Sequence, residues 1–252
     1  MEKIRKPFQG ILNIIRFNWH FYVIAIVLIF SILFLTYFTN STIKIILQIV
    51  SIIISITIFV SLSISYYVYD LSGFYKLEWI KNNDDNISII NINAGFDETS
   101  ELLKRKFVNS NFTALDFYNP NKHTEVSIKR ARKIYPPYPN TKEIKTSKID
   151  LESNSIDKVF VILSAHEIRN ETERIVFFSE LNRILKPKGQ IVVIEHLRDI
   201  SNFMAYNIGS FHFYSRASWL STFKKSKLSV ISEIKNTSFI STFTLEKNGN
   251  TL

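Results

Sequence analysis

The sequence predicts a doubly wound α/β domain, built on a mostly parallel seven-stranded sheet and preceded by a two-helix transmembrane hairpin. Three observations carry the prediction. Two long runs near the N-terminus contain no charged residue, short apolar runs alternate with helix-like stretches over the rest of the chain, and the last two alternating segments are spaced to pair. The 252 residues are 46% hydrophobic and yet 21% charged, which requires the apolar residues to be segregated. With no cysteine, disulfide frameworks, zinc-thiolate and iron-sulfur centres and thiol nucleophiles are excluded. Only six glycines and six prolines argue against a collagenous or disordered chain.

The hairpin comes first. Residues 21–38 and 45–68 are two uncharged runs of 18 and 24 residues. A bilayer core about 30 Å thick needs roughly 20 such residues as a helix. Buried core helices would be shorter and carry a polar edge, and a cleavable signal peptide would end a short apolar core in an Ala-x-Ala site. Residues 1–70 are therefore expected to form a membrane anchor, with spans at about 21–38 and 45–68, and residues 71–252 a soluble domain. The six residues between the runs force an antiparallel pair. Lys3, Arg5, Lys6 and Arg16 precede the first span, Lys44 alone lies between, and Lys76 and Lys81 follow the second. The positive-inside rule then places both termini and the soluble domain on the cytoplasmic side of the inner membrane. Trp19, Tyr22, Tyr37, Tyr66, Tyr67 and Tyr69 gather at the span ends, at headgroup level. Neither span holds an ionisable Asp, Glu, Lys, Arg or His, which points to an anchor rather than a transporter.

After about Asp70 the pattern alternates. Residues 87–92 read as a strand, followed by a glycine turn and a helix over 98–108 with Leu102, Leu103 and Phe107 on one face. Next come a strand over 112–115 ending in Asp116, a basic helix over 125–133 and a weak strand over 143–149. Residues 158–163 form a buried strand. An amphipathic helix over 169–185 turns Ile175, Phe178, Leu181 and Leu185 inward and is stopped by Lys186-Pro-Lys-Gly189. A second buried strand covers 190–195. A helical region including 218–223 leads to segments 228–234 and 239–245, which pair through the turn at Asn236 as an antiparallel edge.

In such sheets a ligand sits beyond the carboxyl ends of the strands. The residues found there are Asn91-Ile-Asn-Ala-Gly-Phe-Asp-Glu98, Asp116-Phe-Tyr-Asn119, Ser164-Ala-His-Glu-Ile168 and Glu195-His-Leu-Arg198. Two further stretches have a specific spacing: Glu152-Ser-Asn-Ser-Ile-Asp-Lys-Val-Phe160, and Glu180-Leu-Asn-Arg-Ile-Leu-Lys-Pro-Lys-Gly-Gln-Ile-Val-Val-Ile-Glu-His196. From about residue 87 to 247 the chain resembles the class I S-adenosylmethionine-dependent methyltransferases, of the quinone-biosynthesis-like (type 11) group. The first stretch resembles the family's acidic residue, Asn-Ser-Phe-Asp and hydrophobic strand. The second resembles its Glu-Leu-x-Arg-hydrophobic-Leu-Lys-Pro-Gly-Gly signature and the strand that follows.

The resemblance implies a Rossmann-like methyltransferase fold and S-adenosylmethionine as cofactor. Where the family's turn reads acidic-x-Gly-x-Gly-x-Gly, this chain has Asn91, Asn93, Gly95 and Asp97, with Ala94 between. Asn tolerates left-handed backbone better than most residues, and a carboxylate at Asp97 suits a sulfonium amino acid that carries an ammonium and no phosphate. Asp116, 21 positions after Gly95, is the expected ribose-binding carboxylate. Phe117 and backbone groups are expected to hold adenine, because the family's Asp after its third strand is replaced by Lys145-Thr-Ser-Lys148. Ser164 and Ala165 follow the central strand at the cofactor, and His166 is the expected catalytic base for a hydroxyl acceptor. His196 and His212 are weaker candidates, the latter inside the aromatic run Phe211-His-Phe-Tyr214, while His20 and His123 lack a suggestive context.

No His/carboxylate spacing suggests a metal site, so none is expected, and no Gly-x-Ser-x-Gly elbow or phosphate loop is present. The basic stretch Lys129-Arg-Ala-Arg-Lys133, with Lys142, Lys145 and Lys148, reads as a solvated face or as a membrane-facing patch, each cation there being worth about 1 kcal/mol. The absence of a recognised module speaks against nucleic acid as a partner. The expected function is a membrane-anchored methyltransferase acting on a lipophilic small molecule, with membrane lipid as the other partner and a homodimer left open. The alternative is a catalytically inactive methyltransferase-fold binding or scaffold protein tethered to the membrane.

Overall fold

The computed structural model describes residues 5–80, 86–123 and 125–249. Lys3 and Lys81, used above for orientation, lie outside them. Helix α1 (Gln9–Leu35) and helix α2 (Ser41–Tyr66) form an antiparallel pair joined by a single 3-10 turn. Asn40 starts α2 by accepting the Ile43 amide at 3.0 Å. Both helices are long and apolar enough to cross a membrane, and their apolar side chains are almost wholly exposed.

The first turns of α1 do more than lead into the hairpin. The Asp70 carboxylate, just past α2, accepts the free amides of Gly10 and Ile11 at 2.8 Å each, neutralising donors that an N-terminus leaves unmade. A side chain at position 10 would stand 2.4 Å from the Tyr69 Cβ, so this close approach requires glycine. Farther along, α1 bends at Asn18 (φ −115°, ψ 18°), whose amide donates to the Ile14 carbonyl at 3.1 Å.

The remaining chain forms a seven-stranded sheet in the order β3-β2-β1-β4-β5-β7-β6. Its strands are β1 (Ser88–Asn93), β2 (Asn111–Asp116), β3 (Lys142–Glu143), β4 (Ile156–Ile162), β5 (Leu185–His196), β6 (Leu228–Lys235) and β7 (Ile240–Lys247). Only β7 runs against the others, inserted between β5 and β6. Alternation splits each central strand between two cores. Ile90, Ile92, Val159, Val161, Ile191 and Val193 face α5 (Glu171–Ile184) and α7 (Arg216–Lys225), whose Phe178, Leu181, Trp219 and Phe223 are buried. Ile89, Phe160, Ile162, Val192 and Ile194 face the other way. That side is covered by α3 (Ser100–Lys106) and by Phe74, Leu77 and Ile80 from the segment after the hairpin. Helices α4 (Val126–Ile134) and α6 (Ile200–Tyr206) complete the order.

Two local expectations change. The strand expected over 143–149 shrinks to Lys142–Glu143, because Lys145 to Lys148 curl into a turn closed by a 3.1 Å backbone bond. The stop at Lys186-Pro-Lys-Gly189 is instead the entry of β5: Leu185 already pairs with Ile156, and the ladder skips an irregularity before Gln190 meets Lys158. Gly189 is needed there, since a Cβ would lie 2.9 Å from the Asp157 carbonyl oxygen.

Candidate active site

At the carboxyl end of β1 the chain turns sharply through Gly95, whose φ of +93° favours glycine. Asn93 Oδ1 accepts the Gly95 amide at 3.0 Å, and Asp97 Oδ1 accepts the Thr99 and Ser100 amides at 3.0 and 2.9 Å, fixing the entry into α3. Asn91 is turned toward that helix, its amide donating to the Thr99 and Ser100 hydroxyls at 2.9 Å each. At the end of β2, buried Asp116 accepts the Tyr118 amide at 2.8 Å through Oδ1 and pairs with Arg132 Nη1 of α4 at 2.6 Å through Oδ2. The Arg132 guanidinium stacks on the Tyr118 ring at 4.4 Å, and both side chains lie directly over Gly95. Phe117 packs in the core between His123 and Phe177. Its edge borders a hollow of about 310 Å³ that Thr146, Ser147 and Glu173 also line.

The other end of the cleft belongs to β4 and β5. Ser164 Oγ donates to the Ile92 carbonyl at 2.9 Å, tying the two central strand ends together, and Ala165 is fully buried. His166 stands on the short 3-10 turn that follows. Its Nδ1 lies 2.6 Å from Oε2 of Glu195, a fully buried residue of β5, and its amide donates to Glu195 Oε1 at 3.1 Å. Its Nε2 lies 3.2 Å from Glu167 Oε1. Burial alone would lower the His166 pKa, but the two carboxylates outweigh it and push it up to about 10. His166 is thus held as an imidazolium that donates through both nitrogens, so the general-base role expected from the sequence does not fit this arrangement, in which the ring instead presents positive charge. The neighbouring His196 is the opposite case. Burial drives its pKa down to about 4. Its Nδ1 lies 2.9 Å from the Phe239 carbonyl, which leaves Nε2 to accept the Tyr69 hydroxyl at 2.7 Å.

Between these groups lies a cavity of about 230 Å³. Asn93, Ala94 and His166 line one side, and Asn13, Ile14 and Phe17 of α1 line the other. Glu98 binds the two sides together: it accepts the Tyr75 hydroxyl at 2.7 Å, the Arg5 guanidinium at 2.7 Å and the Asn13 amide at 3.2 Å. The basic helix α4 also joins this wall. Tyr135 just beyond it donates to Asn13 Oδ1 at 2.8 Å, and Arg130 donates to the Phe17 carbonyl at 2.6 Å.

Of the residues singled out in the sequence, Asn93, Ala94 and His166 line this common cavity, while Gly95, Asp97, Asp116, Ser164 and Ala165 shape the strand ends around it. Asn91 and Phe117 are directed into packing. Glu98, Glu167, Glu195 and Tyr75 were given no role, and Tyr69, expected at headgroup level, instead lines the cavity with its hydroxyl on His196. A buried charge inside an otherwise apolar strand, as at Glu195, is the one signal that could have revealed a member of that set.

Comparison with known proteins agrees with this architecture. Residues 90–193 match a family model described as a methyltransferase domain. Among solved structures, an S-adenosylmethionine-dependent methyltransferase from Aquifex aeolicus superposes with a TM-score of 0.52 at 15% identity, covering 71% of this chain and 94% of its own. An S-adenosylmethionine-dependent methyltransferase from Clostridium acetobutylicum gives 0.50 at 13% identity, covering 71% and 91%. No curated protein matches the sequence. The fold is that of the S-adenosylmethionine-dependent methyltransferases. More particularly, residues 90–193 are the part of the chain that is similar to the methyltransferase-domain family.

The residues present fit that cofactor. Asp116 offers a buried carboxylate at the end of β2, and the cavity is lined by Asn93 and Ala94 at the end of β1 and by His166 after β4. One adjustment is required: a ribose reaching Asp116 takes the place of the Arg132 guanidinium, a flexible side chain about one-third exposed.

Proposed function

We propose that this chain is a membrane-anchored methyltransferase acting on a lipophilic or membrane-associated small molecule at the cytoplasmic face of the inner membrane. Residues 1–70 serve as its anchor and 71–252 as its catalytic domain. One observation carries the reading: the cavity beside His166 is roofed by the first turns of α1, the same helix that continues as the first apolar span. An acceptor entering along the hairpin arrives at the carboxyl ends of β1 and β4 without crossing bulk water. When bound, S-adenosylmethionine supplies an electrophilic methyl group. The chain's own residues then contribute position and exclusion of water, which carry most of the acceleration of an in-line displacement. Asp116 holds the ribose, the Asn93–Asp97 turn the amino-acid end, and His166, aimed by Glu195, the acceptor.

A second reading is favoured by the Arg132–Asp116 pair and the single glycine of the turn: a methyltransferase fold that binds without chemistry. Calorimetric titration of the full chain in detergent with S-adenosylmethionine, followed by transfer of labelled methyl to a membrane lipid extract, separates the two. Binding with transfer is expected. No heat at ligand up to about millimolar would end the enzyme reading, and binding without transfer would favour the second. For topology, a C-terminal reporter active only outside the cytoplasm would overturn the orientation.

A further inference from the structure

Two neighbouring side chains, His166 and Glu167, meet a third from 45 positions further along, His212, at the cavity wall. His166 Nε2 lies 3.2 Å and His212 Nε2 3.4 Å from the same Glu167 oxygen, Oε1. The three ligand atoms fall within 4.8 Å of one another. Two donors about 2.1 Å from a single cation stand roughly 3.4 Å apart in tetrahedral geometry, which is the spacing of each histidine nitrogen from Glu167 Oε1, while the ligand nitrogens of the two histidines lie within 4.8 Å of each other. Glu167 is 7% exposed, and its second oxygen, Oε2, is buried with no hydrogen-bond partner among the described residues. Such an orphaned acceptor calls for a ligand.

The surroundings have the form of a metal site's support. The far nitrogen of each histidine meets a carboxylate: His166 Nδ1 meets Glu195 at 2.6 Å and His212 Nδ1 meets Glu125 at 3.4 Å. Carboxylates behind ligating histidines fix their orientation and raise their basicity. We propose that His166, Glu167 and His212 form a binding site for a divalent transition-metal cation at the mouth of the cavity. Two histidines and one carboxylate leave coordination positions open, and since His166 and Glu167 line the cavity, those positions are accessible to an oxygen of the acceptor. The cation takes the place of the protons now shared inside the cluster. Arg169 is its competitor, for this guanidinium lies against the His212 ring nitrogens, donates to the His212 carbonyl at 2.6 Å and reaches Glu125 at 3.7 Å. The inference stands on this cluster and not on methyl transfer, so either can fail alone.

The test uses the full chain in detergent, stripped with a chelator and titrated with Co²⁺, then with Zn²⁺. One equivalent of Co²⁺ is expected to develop the intense ligand-field bands of a four- or five-coordinate ion with nitrogen ligands, and Zn²⁺ should abolish them. Glu167→Gln and His212→Ala should each weaken binding by at least about tenfold, and Glu195→Gln by about ten- to a hundredfold, as does losing the carboxylate behind a ligating histidine. His212 is part-exposed, so its replacement leaves the core untouched. Arg169→Ala should tighten binding. A wild-type spectrum that stays that of the hydrated ion, or an affinity unchanged by both His212→Ala and Glu167→Gln, overturns the proposal.

Discussion

The two ends of the cleft are charged in opposite senses and closed by different means. At the β1–β2 end a buried carboxylate, Asp116, is held by one long guanidinium reaching across from a helix. At the β4–β5 end an imidazolium, His166, is held by two carboxylates that follow or lie on sheet strands. The first arrangement can be exchanged for a ligand at the cost of one side-chain rotation. The second is fixed before anything binds, because Glu195 sits fully buried on β5 and cannot move without the strand. One end of the site is a latch and the other is a mould.

The largest expected effect attacks the mould. His166→Ala should lower methyl transfer by about 10²-fold through loss of acceptor positioning while leaving S-adenosylmethionine affinity within a few-fold, measured by initial rates and calorimetry on the same preparation. A matching loss of affinity would show that the two ends are not separate. The neighbouring His196 offers a test through pH. Burial keeps it neutral in the fold, with a pKa of about 4 against an ordinary 6.5, so the unfolded chain takes up a proton that the folded one refuses. Stability is then intact above about pH 6.5 and declines as pH falls toward 4, by on the order of 3 kcal/mol. Denaturation midpoints across that window should show the slope, and His196→Gln should flatten it.

Smaller effects belong to the latch. Asp116→Ala should weaken S-adenosylmethionine binding by about 1 to 3 kcal/mol, the worth of one or two hydrogen bonds. Unchanged affinity would mean that the ribose lies elsewhere. Arg132→Ala should act with the opposite sign and smaller size, tightening binding by up to about tenfold as a competing cation is removed. A weakened affinity would instead make Arg132 part of the cofactor contact.

The same contrast governs what the sequence discloses. Strands such as Lys158 to Leu163 are legible because apolar alternation and turn residues are local properties of the chain. The Glu180–His196 signature is legible because helix and strand follow one another directly. Arg132 over Asp116 is not legible, since a basic run on a helix looks alike whether it is solvated or folded back onto a strand end. Nor is the meeting of His212 with Glu167, 45 positions away, or the reach of Asn13 across to Glu98. Long-range pairings of polar side chains leave no periodic trace, and active sites are assembled from such pairings.

The Asp70 cap on the first turn of α1 also has a mechanical meaning. It ties the start of one apolar helix to the end of the other, so the pair reaches the domain as a single lever, α1 being about 40 Å long over its 27 residues from the roof to the far tip. The short end of that lever is the roof of the cavity. Whatever displaces the far end of the pair is therefore transmitted past the bend at Asn18 to Asn13, Ile14 and Phe17, the residues that line the cavity opposite His166.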